Sequence, residues 1–131
     1  MQPLRVTARA HDGLTVVSLR GELDIANADD LRQELQSARR EHGDDVVLDL
    51  ADLEFMDSHG LSVIIAGFKA ASAAGGGLVI AAPRPIVRRT LDITGIGGRV
   101  TITDTVEGAI ATRLAERAAA AGAAEPTAEP A

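Results

Sequence analysis

Apolar positions in the first fifty residues fall into short runs whose period changes along the chain. Leu4 to Ala10 and Leu14 to Arg20 read as two strands, and the Asp12-Gly13 pair between them is a hairpin turn signal. Gly21-Glu22-Leu23-Asp24 then breaks the strand pattern. Asn27 is placed to cap a helix in which Leu31, Leu35 and Ala38 share one face, with Asp29 and Asp30 near the positive end of its dipole. Gly43 closes that helix, and Val46 to Leu50 reads as a buried strand of the parallel type, after which the direction is expected to change.

Leu61, Ile64, Ile65 and Phe68 stand at i, i+3, i+4 and i+7, which predicts a second helix ending before Gly75-Gly76-Gly77. Leu78 to Ala81 follows as a strand. Pro85 opens a third helix that ends near Gly95, and Val100 to Thr103 is the last strand. Asp104 with Glu107 resembles a capping box ahead of a final helix carrying Val106, Ile110 and Leu114. The order implies an α/β domain: a mixed sheet, hairpin first and parallel in its later strands, with about four helices packed on it. One domain over 1–117 suits the length, and the Ala, Pro and Glu-rich stretch 118–131 has too few large apolar groups to pack, so it is expected to be a disordered tail.

Composition narrows the function classes. Apolar residues make up 46% of the 131 and charged residues 24%, the balance of a folding chain. With no cysteine, thiolate metal sites, thiol nucleophiles and disulfides are excluded, and a cytoplasmic location is expected. The N-terminus has no signal-peptide pattern and no apolar run is long enough to cross a bilayer, so no membrane insertion is expected. A formal net charge of −6 and only two aromatic residues, Phe55 and Phe68, argue against direct nucleic-acid binding. No phosphate-binding loop, hydrolase elbow or metal-type histidine pair is visible, so neither a cofactor nor an enzymatic activity of its own is expected.

The informative segment is Leu53 to Leu61, between a buried strand and an amphipathic helix. Loops after the carboxyl ends of parallel strands are where α/β folds place working residues. Ser58 stands at that mouth. On the residues alone its hydroxyl can simply cap the helix, with Asp57 helping the dipole. Asp24 can equally support the first helix, and Gly60 can provide either close backbone approach or a flexible turn. His59 reads as a solvated loop histidine, with binding that is pH-sensitive near neutrality as the alternative.

Several fragments in the right order and spacing resemble the STAS-domain anti-sigma factor antagonists of bacteria. They are Gly21-Glu22-Leu23-Asp24, Asp49-Leu50-Ala51-Asp52-Leu53, Phe55-Met56-Asp57-Ser58-x-Gly60-Leu61, the Gly76-Gly77 turn, Pro85-Ile86-Val87 and Gly95-Ile96. The resemblance implies a STAS-like fold and a partner-switching role. It implies that the unphosphorylated form binds an anti-sigma factor serine/threonine kinase so that sigma factor is released, that the kinase phosphorylates Ser58 with ATP, and that a metal-dependent, PP2C-type phosphatase reverses this. The expected switch site comprises Asp24, Asp57, Ser58, His59 and Gly60, and the exposed edge of the Leu61 helix around Ser62 and Lys69 is expected to join the partner contact. His59 departs from the family pattern, which often has a second small hydroxyl residue there. STAS domains also serve as accessory parts of lipid and anion transport systems, which is the alternative role.

Overall fold

The computed structural model describes residues 2–124. Strands β1 (Arg5–His11) and β2 (Leu14–Leu23) form the antiparallel hairpin that the Asp-Gly turn requires, with positive φ at both Asp12 (53°) and Gly13 (80°). Helix α1 (Ala28–His42) leads to β3 (Asp45–Met56), α2 (Ser58–Ala73), β4 (Gly77–Ala81) and α3 (Pro85–Thr94). A 3₁₀ turn (Ile96–Gly98), β5 (Ile102–Thr103) and α4 (Val106–Ala124) complete the order. The sheet runs β1-β2-β3-β4-β5, with every pairing after the hairpin parallel, so the expected mixed α/β architecture forms, with four α-helices among the described residues.

The two sheet faces are covered unequally because the period-2 alternation loads them unequally. One face sends Val17, Leu19, Leu23, Val46, Leu48, Leu50, Leu78 and Ile80 into a large core with Leu31 and Leu35 of α1, Leu61 and Ile64 of α2, and Val87 and Leu91 of α3. The other sends Leu14, Val16, Val47, Val79 and Ala81 against Ala109 of α4, with Val106, Ile110 and Leu114 beside them.

Four local expectations are corrected. The third strand does not end at Leu50 but continues to Met56. Asp52 and Glu54 are poor strand formers, yet pairing of Asp52, Leu53, Phe55 and Met56 with Arg20, Gly21, Glu22 and Leu23 overrides propensity. The last strand is only Ile102–Thr103, with Val100 buried ahead of it. The cap of α4 is Thr105, whose Oγ1 accepts the Gly108 N–H at 2.9 Å, while Asp104 turns away to pair with Arg88 at 3.0 Å. Finally, the tail expected from 118 begins as helix, since α4 runs on to Ala124. Alanine needs no packing to favour helix once a helix is already nucleated. The rest of the expected tail, 125–131, lies outside the described residues.

Candidate functional site

The site forms where two adjacent parallel strands end together. Leu23 closes β2 opposite Met56, which closes β3, so the segment 24–27 and the Asp57-Ser58 junction emerge at the same end of the sheet. The Asp57 N–H donates to the Leu23 carbonyl at 3.1 Å, extending this pairing one residue past the strands.

Asp57 is the organising residue. Its backbone is extended (φ −98°, ψ −178°), the conformation of a helix cap residue. Its Oδ1 accepts the N–H groups of His59 at 2.9 Å and Gly60 at 3.0 Å, satisfying two otherwise unpaired donors of the first turn of α2. Its Oδ2 accepts the Ile25 N–H at 3.1 Å, tying the β2–α1 loop to α2. The His59 Nδ1 lies 3.6 Å from the same oxygen. Desolvation works against the charged carboxylate, but hydrogen bonds from Gly60, Ile25 and His59, together with the imidazole, outweigh it and hold the Asp57 pKa below its ordinary value.

The cap assignment corrects the reading in which Ser58 caps the helix. Ser58 is instead the first residue of α2, exposed, and its hydroxyl makes no side-chain hydrogen bond among the described residues. Its carbonyl accepts the Ser62 hydroxyl at 3.0 Å one turn on. Gly60 is buried, and a Cβ there would collide with Leu23, coming within 2.7 Å of Leu23 Cδ2 and 3.3 Å of Met56 Cγ. Its value is therefore space for α2 against the ends of β2 and β3, not turn flexibility.

Asp24 is half-buried, and its Oδ1 accepts the Ala26 N–H at 2.9 Å, a local turn of the kind Asx side chains make. Asn27 holds the N-cap position of α1 without a side-chain cap bond. Its Oδ1 accepts the Asp24 N–H and its Nδ2 donates to the Glu22 carbonyl, both at 2.9 Å, so it braces the loop instead.

Ser62 and His59 line a cavity of about 240 Å³ with Ile25, Ala28, Asp29, Arg32 and Val63, open between the starts of α1 and α2. Ile25 is 66% exposed at its rim. Neither Ile25 nor Arg32 stood out in the sequence: an isoleucine in a loop and an arginine on a wet helix face carry no signal until the fold sets them beside His59. Of the expected site residues, Asp24, Asp57, Ser58, His59, Gly60 and Ser62 come together. Lys69 does not, since eleven residues of helix put it about 16 Å from Ser58 along α2. No helix among the described residues is long and apolar enough to cross a membrane.

A STAS domain profile matches residues 5–109. The anti-sigma F factor antagonist of Paenibacillus polymyxa is 36% identical over 94 residues, covering 71% of this chain and 80% of that protein. The anti-sigma-B factor antagonist of Bacillus subtilis (strain 168) is 31% identical over 107 residues, covering 82% of this chain and 97% of that one. The crystal structure of an anti-sigma factor antagonist from Mycobacterium paratuberculosis superposes with a TM-score of 0.78 at 27% identity, over 85% of this chain and 94% of that chain. Matched by the profile through most of its length, the chain belongs to the STAS domain family.

Proposed function

We propose that this protein is an anti-sigma factor antagonist, acting in the cytoplasm as a phosphorylatable binding module and not as an enzyme. Unphosphorylated, it binds an anti-sigma factor serine kinase and frees the sigma factor. In the kinase complex the Ser58 hydroxyl oxygen attacks the γ-phosphorus of ATP, the bond to the β-phosphate oxygen breaks, ADP leaves, and the serine proton passes to a base on the kinase. A PP2C-type phosphatase hydrolyses the phosphoserine and resets the switch.

The observation that carries this reading is the division of labour between Asp57 and Ser58. Because Asp57 satisfies the N–H groups of His59 and Gly60, Ser58 is released from capping and its hydroxyl stands exposed at the head of α2. The same arrangement supplies the off state. A phosphoserine adds roughly −1.5 to −2 charges. Two of the first-turn donors that would welcome an anion at a free helix N-terminus, the N–H groups of His59 and Gly60, are already held by Asp57, so a phosphate on Ser58 adds its charge next to the Asp57 carboxylate and near the loop that Asp24 braces. A partner surface fitted to a neutral hydroxyl then meets repulsion and desolvation. A loss of about 3 kcal/mol lowers affinity by roughly a hundredfold, enough for a switch.

The relatives' names support this reading over an accessory role in membrane transport. The test is binding of wild-type, Ser58→Ala and Ser58→Asp protein to candidate anti-sigma kinases with ATP present. Binding without phosphorylation by Ser58→Ala and loss of binding by Ser58→Asp are expected. Equal behaviour of all three would remove Ser58 from the switch.

A further inference from the structure

Away from the Ser58 loop, the chain presents a surface that the proposed switch does not use. Ile86 and Ile93 stand seven residues apart on α3, on one face with Arg89 between them, and remain 54% and 79% exposed. Gly95 ends the helix in the left-handed conformation (φ 72°), and the 3₁₀ turn that follows leaves a recess against the second half of α2. That recess holds about 80 Å³ and is lined by Ile65 and Phe68 of α2 and by Thr94, Gly95, Ile96, Arg99 and Val100.

The charge of this stretch of chain runs against that of the molecule. The chain carries a formal net charge of −6, yet between Arg84 and Arg99 there are four arginines and a single acidic residue, Asp92. Two of the arginines are used internally: Arg84 donates to the Ala51 carbonyl at 2.9 Å, and Arg88 pairs with Asp104 at 3.0 Å. Arg89 and Arg99 have no ion-pair partner among the described residues, and neither has exposed Lys69, one turn beyond Ile65 at the recess.

We propose that this α3–α2 face is a second protein-docking site, whose occupant is an acidic amphipathic helix of a partner protein. One aliphatic side chain of that helix enters the recess, its apolar stripe covers Ile86 and Ile93, and its carboxylates meet Arg89, Arg99 and Lys69. The size of the recess decides against a small-molecule ligand, since such sites run to roughly 300–1,000 Å³. Two exposed isoleucines on a ten-residue helix give too little apolar area to hold a bilayer surface. A like-to-like pairing of two copies would set unpaired arginines against each other.

The probe is a synthetic helical peptide with leucine at every third or fourth position and glutamate elsewhere, titrated into the ¹⁵N-labelled full chain. A control peptide has every glutamate replaced by lysine. The acidic peptide is expected to perturb amides of α3, the 3₁₀ turn and the second half of α2, and the basic one to leave them unmoved. The variant Ile93→Glu with Arg99→Glu, both exposed positions whose change leaves the fold intact by circular dichroism, is expected to weaken the acidic peptide at least about tenfold while kinase binding through the Ser58 face is unchanged. Equal response to both peptides, perturbation centred on Ser58, or no response at millimolar peptide overturns the proposal. So does retention of anionic vesicles without peptide binding, or self-association abolished by the double variant.

Discussion

The Asp57 carboxylate accepts the Ile25 N–H at 3.1 Å with one oxygen while its other oxygen caps α2. A single side chain thus fixes both the phosphoacceptor helix and the loop carrying the exposed isoleucine beside it. Removing it should loosen both. Asp57→Ala is expected to lower stability by about 1–2 kcal/mol in urea denaturation, the range for loss of an N-cap. It is also expected to speed hydrogen exchange at Ile25 as well as at His59 and Gly60. Faster exchange confined to α2 would show that the β2–α1 loop holds itself without Asp57.

The same carboxylate gives the protein an acid dependence of known sign. The Asp57 pKa is lower folded than unfolded, so the folded state favours the ionised form. Its contribution is fully present above the unfolded value near pH ~4 and is lost as pH falls through the lower folded value. Asp57→Asn removes the titration. The stability gap between wild type and Asp57→Asn, read as urea midpoints from pH 7 downward, is expected to stay constant to about pH 5 and then narrow. A gap that does not change with pH would mean that the carboxylate gains nothing from these bonds.

Gly60 faces the end of β2 so closely that a methyl group has no room beside Leu23. Gly60→Ala is expected to destabilise by about 1–3 kcal/mol, the usual effect of overpacking, although alanine is the better helix former. Combining it with Leu23→Ala should recover part of that loss, because the second change opens the space the first one needs. Additive losses in this double-mutant cycle would place the strain elsewhere.

Much of this architecture is legible in the chain because apolar spacing reports burial directly. Leu31, Leu35 and Ala38, or Leu61 and Ile64, can be placed on the packed side of a helix without coordinates, and they are buried. Asp12-Gly13 gives the hairpin for the same reason, a local conformation demanded by local residues. What the sequence hides is pairing between distant polar groups. That Asp57 and not Ser58 caps α2 goes with the Ile25 N–H arriving from the β2–α1 loop, and Asn27 abandons its cap because Glu22 and Asp24 offer better partners. The extension of β3 through Asp52 and Glu54 is likewise decided by β2 alongside it.

At the opposite end of the sheet, α4 is held by charge that the alternation of apolar residues does not reveal. Arg113, 9% exposed, lies with Nε 3.4 Å from Asp45 Oδ1 and Nη1 3.2 Å from Glu116. Arg117 reaches Asp45 Oδ2 at 3.8 Å and donates to the Gly13 carbonyl at 3.1 Å, joining the helix to the hairpin turn. Asp45 is the shared anion of both arginines, so its loss leaves a nearly buried guanidinium without its sheet partner. Asp45→Ala is expected to destabilise the protein by about 2–3 kcal/mol, below the range for a fully buried pair because Glu116 remains. Glu116→Ala, at the exposed edge, should cost under about 1 kcal/mol. Comparable losses for the two variants in urea denaturation would show that Arg113 draws equally on both carboxylates. Hydrogen exchange then locates the effect: protection lost in α4 and at the β1–β2 turn, with α2 and the Ser58 loop unchanged, is the pattern that an anchor confined to this end of the sheet requires.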